Sequence, residues 1–448
     1  MTAVVEVAQS LRSRLRQELS ALAFSRRTVS FLLGTDVGIE HEARVALTPR
    51  HVAQLREDLT ACGLEPDLFV VAGAGDRARG DDRRGYADGE YAQAGAVVVE
   101  RSDLARLGRL DVVHALKEPT EYESELPGPF LRIGALHLAS KPPGVCRLLA
   151  RKNFAGIFDG GTIGSCSHHK YGGDRTPIVA SMSRFAGAVA ARKLVEGLRA
   201  RGHAAGKMVV VGGGIAGQSA IRVLKPLAAE LVVVERMPEA HARLGERLRE
   251  LGYSDFTILE HLSDEAMTDA LGIVFAHRSG AKEAEKVCTF DQIQRMRPGA
   301  GVADIAIDQG GSILHAGYSK DDDAARSREK YQKLLADYFY YAETNMPREE
   351  PREASEMHGD ASLPYVTTLL ALTARDGDPW VTVGKIRRLA PRICASAEEL
   401  QDQSLLACLT QDLRNGLQLA VDGGRVEVVD DDIHRDQALQ AWIDHCAS

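Results

Sequence analysis

The chain is 448 residues long, 44% hydrophobic and 26% charged, with a formal net charge of −8 and no basic block. That length exceeds one ordinary core and predicts two domains; the composition excludes a disordered chain, and the charge argues against a nucleic-acid or anionic-membrane partner. Seven cysteines, at 62, 146, 166, 288, 394, 408 and 446, contain no C-x-x-C, a scatter that predicts reduced cytoplasmic thiols rather than a disulfide framework or a zinc site.

The opening MTAVVEVAQSLRSRLRQELSAL reads as an amphipathic helix and not as a signal peptide. No apolar run is long enough to cross a bilayer, so a soluble, cytoplasmic protein is expected. A strand is predicted at 28–33. Thr48-Pro49 then supplies an N-cap and N1 proline for a helix to about residue 59. Short apolar strands at 68–71, 96–99, 112–116, 133–138 and 155–158 alternate with helical or turn segments, the pattern of a parallel sheet covered by helices on both faces. An alanine-rich helix is predicted over 178–201.

Residues 207–236, KMVVVGGGIAGQSAIRVLKPLAAELVVVER, form a complete strand–turn–helix–strand–acid unit, far more specific than a lone GxGxxG. Gly212 permits the tight turn, Gly214 lets a pyrophosphate approach the backbone, and Gly217 lets the helix pack close to the strand. The helix opened by Ile215 and Ala216 points its N–H groups at the phosphates. Glu235, roughly 20 residues past the last glycine, is placed to accept hydrogen bonds from an adenosine ribose. Its charge would repel a 2′-phosphate and favours NAD over NADP, although Arg236 beside it could bind such a phosphate.

Strands at 256–259, 272–276 and 301–307 complete a doubly wound nucleotide domain. The charged stretch 319–333 reads as an exposed helix, the acidic runs 321–323 and 430–432 as solvated loops, and 363–374 as a return helix. His358 reads as surface polarity on a loop. Cys166, His168 and His169 are too tightly spaced to close a tetrahedral metal site easily, and no metal is expected. The expected fold is α/β, with two doubly wound Rossmann-like domains and a cleft between them for a small-molecule substrate. The NAD-binding domain, 178–351, would be inserted between the two parts of a discontinuous substrate domain, 1–177 and 352–448.

Several strings occur together and in order: Glu42-Ala43-Arg44-Val45-Ala46-Leu47-Thr48-Pro49, Leu116-Lys117-Glu118-Pro119, Leu136-His137-Leu138-Ala139, Ser181-Met182-Ser183, the glycine fingerprint, DIAIDQGG at 304–311, Asn345-Met346-Pro347 and Leu363-Pro364-Tyr365-Val366, with a fainter Leu413-Arg414-Asn415-Gly416-Leu417. On these the chain resembles the alanine dehydrogenase / NAD(P) transhydrogenase α-subunit family. The resemblance implies that Arg44 and Lys117 hold a substrate carboxylate, that His137 is the acid/base, and that Asp308 sits by the reacting centre. It also implies that Ser183, Asn345 and Met346 line the nicotinamide side, and that the protein is a homo-oligomer, a dimer or a hexamer. Transhydrogenase α-subunits do no substrate chemistry of their own, so the four polar positions together imply the dehydrogenase branch.

Those residue types suit the chemistry. A planar guanidinium grips a carboxylate bidentately; a lysine at a strand end stands where open α/β sheets place their ligands; and an imidazole exchanges protons near neutral pH. Each alone would more often be an ordinary surface or structural residue. Ala135 occupies a position where simple alanine dehydrogenases carry an aromatic residue against the substrate methyl, and residues near Phe158, Asp159 and Arg184 also depart from the pattern. The expected activity is therefore an NAD-dependent interconversion of an L-amino acid and its 2-oxo acid plus ammonia, with a substrate larger than alanine. The alternative is an opine-type enzyme, resembling saccharopine dehydrogenase, that joins a 2-oxo acid to an amino acid through a secondary amine.

Overall fold

The structure is a computed structural model that describes residues 2–35, 42–75, 85–135, 143–161, 163, 178, 180–277, 284–315, 317, 319, 322–390, 404–429 and 437–447. The described residues up to Ser181 and from Arg348 onward form one compact unit, and Met182–Pro347 form a second.

The first unit is built on an eight-stranded sheet. Strands β1 (Thr28–Leu33), β2 (Glu65–Val71), β3 (Val97–Val99), β4 (Val112–His114), β5 (Phe130–Gly134) and β6 (Phe154–Asp159) lie parallel in the order β6-β5-β4-β1-β2-β3. Runs such as Phe31-Leu32-Leu33 and Phe154-Ala155 are buried throughout, as parallel strands covered on both faces must be. The antiparallel strands β15 (Leu417–Asp422) and β16 (Arg425–Val428) extend the sheet beyond β6. They join through Gly423 and Gly424, whose φ values of 56° and 80° suit a tight hairpin turn.

The helix Pro49–Ala61 begins as its Thr48-Pro49 start predicts. His51 reaches back so that its Nδ1 lies 3.2 Å from the Thr48 backbone N–H and 2.8 Å from the Thr48 hydroxyl, the role a glutamate plays in a capping box. A 26-residue helix, Pro351–Asp376, packs on this helix and on β1 and β4. It is far longer than the expected 363–374 segment and is buried on nearly every side.

The second unit carries a six-stranded sheet of β7 (Gly206–Val211), β8 (Ala228–Val234), β9 (Phe256–Leu259), β10 (Ala270–Phe275), β12 (Gly301–Asp304) and β14 (Phe339–Tyr341). All are parallel, in the order β14-β12-β10-β7-β8-β9. A small parallel pair, β11 (Cys288–Thr289) and β13 (Ile313–Leu314), stands beside it. The strand order of this sheet, and of the parallel part of the first, is that of a dinucleotide-binding fold, with a switch point between the first and fourth strands where ligands bind. Those points lie between β1 and β4 and between β7 and β10.

Several expectations need correction. The strand expected to run to residue 307 stops at Asp304 because that carboxylate accepts the N–H groups of Ala306 (3.0 Å) and Ser312 (2.8 Å) and the Ser312 hydroxyl (2.8 Å). It thereby caps a 3-10 turn, Ile305–Gln309. The strand expected at 133–138 is Phe130–Gly134. The 319–333 segment forms the helix Ala324–Leu334, and it is not wholly exposed. Tyr331 is buried and donates its hydroxyl to the Ile313 carbonyl at 2.6 Å. Asp323 caps that helix through the Arg326 N–H, and Asp322 is paired with Lys330. The acidic run 430–432 and the Cys166, His168 and His169 group lie outside the described residues. Among the described residues, no helix is long and apolar enough to cross a membrane, and no cluster of three or more His, Cys, Asp or Glu is placed to hold a metal ion.

Candidate active site

Because all six strands of the second unit's main sheet run parallel, their C-terminal ends share one edge, and the fingerprint residues collect there. β7 ends into Gly212, whose φ of 102° is closed to ordinary side chains. A Cβ on Gly212 would also lie 2.8 Å from the backbone of Ala276 and His277, just beyond β10. A Cβ on Gly217 would lie 1.8 Å from the Gly212 carbonyl oxygen, so the helix Ile215–Leu224 packs against the turn only with glycine there. Gly214 differs from both. It is exposed, and a Cβ on it would meet nothing within 4 Å. Protein packing therefore does not require glycine at 214, and the open backbone there suits the close approach of a ligand. Ile215 and Ala216 are half-buried in the first turn of the helix.

Glu235, immediately after β8, accepts the Gly213 N–H (3.0 Å) and the Met237 N–H (3.1 Å), which fixes a carboxylate beside the turn. Arg236 is exposed and paired with Glu285 at 2.6 Å. A glycine cradle with one unexplained glycine, a helix N-terminus and a fixed carboxylate together fit NAD.

The other cofactor-side residues stand on the same edge. Asp308 is exposed on the turn after β12, presented by the 3-10 helix and not by a strand. Asn345 follows β14 at a φ of 59°, a left-handed conformation that asparagine tolerates better than most residues. Met346 behind it is 2% exposed. Ser183 is half-buried in the first turn of the helix Ala180–Ala200, whose Gly187 allows contact with Ala216 in the fingerprint.

In the first unit the candidate substrate-binding residues lie on the loops that follow β1 and β4, the strands of the switch point. Arg44 comes from the loop after β1 and is 2% exposed. Its Nε donates to Glu42 Oε1 at 2.7 Å and its Nη2 to Glu42 Oε2 at 2.5 Å. Burial pushes the Glu42 pKa up most strongly, but Arg44, with Lys117 adding, brings it below the ordinary carboxylate value. Arg44 is thus paired directly with a buried carboxylate, and the charge of Lys117 bears on the same group. Lys117 is half-buried and sits three residues past the end of β4, not at the strand end.

A second buried ion pair positions that loop. Arg132 and Glu123 are both fully buried, with Nε to Oε2 at 3.0 Å and Nη2 to Oε1 at 3.2 Å. Arg132 also donates to the Lys117 carbonyl at 2.8 Å. Removing one partner of such a pair strands a charge away from water, typically at about 3–5 kcal/mol, so the backbone of Lys117 rests on a contact that tolerates little change.

Beneath these cations lie two histidines. His114 ends β4 with its ring fully buried, and its Nδ1 lies 3.0 Å from the Ile133 carbonyl. Since a carbonyl only accepts, Nδ1 carries the proton and Nε2 presents a lone pair. Burial pushes its pKa down to about 3, with Arg132 adding to the effect. His358, on the long helix, stacks against it with ring centroids 5.8 Å apart. Burial, then the charges of His114, Arg44, His51 and Lys117, hold His358 well below its ordinary value. His114 Nε2 and both ring nitrogens of His358 have no hydrogen-bond partner among the described residues.

His358 was expected on an exposed loop; it is a core residue instead, because the helix reaches back to Pro351 and turns that face inward. His137, assigned from the resemblance as the acid/base, lies outside the described residues. Sequence reasoning missed Glu42, His114, Glu123, Arg132 and Asp304. A histidine before Ala-Leu-Lys-Glu-Pro and an aspartate ending the apolar run 301–304 were the available signals.

Residues 39–186 match the alanine dehydrogenase/PNT N-terminal domain and residues 186–378 the C-terminal domain of the same family. The alanine dehydrogenase of Mycolicibacterium smegmatis is 29% identical over 356 residues, covering 75% of this chain and 87% of that protein. A solved L-alanine dehydrogenase superposes with a TM-score of 0.61 at 21% identity, over 94% of this chain and 100% of its own. A Sinorhizobium meliloti transhydrogenase superposes with a TM-score of 0.56 at 19% identity, over 77% of this chain and 95% of its own. This chain belongs to the alanine dehydrogenase/PNT family.

Proposed function

We propose that the chain is an NAD-dependent amino-acid dehydrogenase that interconverts an L-amino acid with its 2-oxo acid and ammonia. The observation that carries this reading is the buried Arg44–Glu42 pair on the loop after β1, with Lys117, whose charge also bears on Glu42, on the loop after β4. Those loops carry cations suited to a small carboxylate, while the glycine cradle stands on the other sheet.

Glu42 fixes the Arg44 guanidinium through its Nε and Nη2, and Arg44 and Lys117 are the two cations assigned to the substrate carboxylate. NAD, when bound, supplies the hydride acceptor. Asp308, exposed on its 3-10 turn, and His137 are the groups that move protons between the amine, the imine carbon's attacking water and solvent. Ala135, half-buried after β5, leaves room for a side chain larger than a methyl.

The test is a screen of 2-oxo acids followed by NADH absorbance, with and without ammonium. Turnover that requires ammonium and is faster with bulkier oxo acids than with pyruvate is expected. Turnover requiring a second amino acid in place of ammonium would make the enzyme opine-forming. Tight NADH binding with no turnover would leave only a nucleotide-binding protein.

A further inference from the structure

The scatter of the seven cysteines suggested isolated reduced thiols, yet two of them meet. Cys146, on the helix Pro143–Arg151, and Cys446, on the helix Gln437–Ala447, are 300 residues apart in sequence, with sulfurs 2.6 Å apart. We propose that Cys146 and Cys446 form an intrachain disulfide that pins the C-terminal helix to the helix Pro143–Arg151, with a small-molecule disulfide as the oxidant.

The helices do not depend on the thiols to find one another. Ile443 is fully buried in the same apolar cluster as Val145, Leu148 and Leu149, with Trp442 packed against it. The scaffold thus presents two sulfurs that need little backbone movement to bond, the usual obstacle to a cross-link. Both residues are half-buried, so a small oxidant has access from the surface.

The two thiols also divide the chemistry. Burial, then the neighbouring Cys146, pushes the Cys446 thiol up to about 12, which assigns Cys446 the resolving step and leaves the first attack to the Cys146 thiolate. That thiolate attacks one sulfur of glutathione disulfide, forming a mixed disulfide and releasing one glutathione thiolate, which takes up a proton. Cys446 then loses its proton to solvent and attacks the Cys146 sulfur, expelling the second glutathione. Two protein thiols are oxidised and one glutathione disulfide is reduced to two thiols.

The helix Pro143–Arg151 follows directly on residues 136–142, which include His137. Cys446 lies beyond the family match, which ends at residue 378.

The full-length protein should be equilibrated in glutathione buffers of increasing oxidised fraction, alkylated, digested without reductant and mapped by mass spectrometry. One peptide pair joining Cys146 to Cys446 is expected, lost in Cys446→Ser, together with an upward shift of the unfolding midpoint in the wild type only. Alkylation of both cysteines at the most oxidising ratio, or separate glutathione adducts on each, would overturn the proposal. So would a cross-link that appears only after unfolding in urea. None of these readouts depends on turnover, so they stand apart from the activity reading.

Discussion

Gly214→Ala will leave the protein folded and weaken NADH binding, whereas Gly217→Ala will damage both. The contrast follows from what a methyl group would meet. At 214 the backbone is an ordinary extended N-cap with φ of −73°, and a Cβ has no neighbour within 4 Å. The only clash is with a bound pyrophosphate, and displacing it should weaken affinity on the order of a hundredfold, about 2.7 kcal/mol. At 217 the Cβ would sit 1.8 Å from the Gly212 carbonyl oxygen, so helix and turn must separate. A backbone shift of that kind destabilises by roughly 1–3 kcal/mol or more and removes the phosphate site with it. Thermal unfolding and fluorescence titration with NADH would measure both terms. Equal loss of stability in the two variants, or unchanged affinity in Gly214→Ala, would break the assignment of the cradle.

The second large effect is on stability against acid. His114 and His358 are buried neutral, with pKa values held below the ordinary histidine value, in one case to about 3. Between about pH 6.5 and those depressed values the unfolded chain binds more protons than the folded one, so stability falls as pH falls. Each pH unit within that window removes roughly 1.4 kcal/mol per fully coupled histidine. The surroundings reinforce the sign, since Arg132 bears on His114, and Arg44, His51 and Lys117 bear on His358. The nearby carboxylates Glu42 and Asp360 titrate below their ordinary values; in the second unit, buried Asp304 is raised and opposes the fall while His315 is lowered and adds to it, so the comparison with His358→Leu isolates the imidazole.

Urea midpoints should therefore drop steeply from pH 7 to pH 5. His358→Leu should flatten that slope and be no less stable than the wild type at pH 7, because it removes two unpartnered buried nitrogens. A wild-type midpoint that does not change between pH 7 and 5 would show that the pair is not held neutral by burial.

The contrast between what could and could not be read from the chain has physical causes. The fingerprint at 207–236 was legible because each requirement is local: a turn, a close approach and a helix start each select glycine or a small residue within a few positions. The Thr48-Pro49 helix start was legible for the same reason. His358 was not, because the helix Pro351–Asp376 is buried nearly all round and so shows no polar stripe to set its inward positions apart. Asp308 was expected directly after a strand and stands on a 3-10 turn instead. The apolar run before it continues past Asp304, and only the capping of Ala306 and Ser312 by that aspartate ends the strand. The Cys146–Cys446 contact and the Arg132–Glu123 pair are tertiary facts with no local pattern behind them. The hairpin of β15 and β16 did carry a signal, Asp422-Gly423-Gly424 between apolar runs, that composition alone leaves easy to overlook.

Hydride transfer from the substrate Cα to NAD is the event on which everything else depends, and isotope transfer reports it directly. The enzyme should be supplied with NAD and an L-amino acid deuterated at Cα, and the nicotinamide examined by proton NMR. Deuterium at C4 of the reduced ring, with loss of the corresponding proton signal, is the predicted result. Reduced nicotinamide that carries no deuterium, or none formed with any amino acid, would contradict the proposed amino-acid dehydrogenase chemistry.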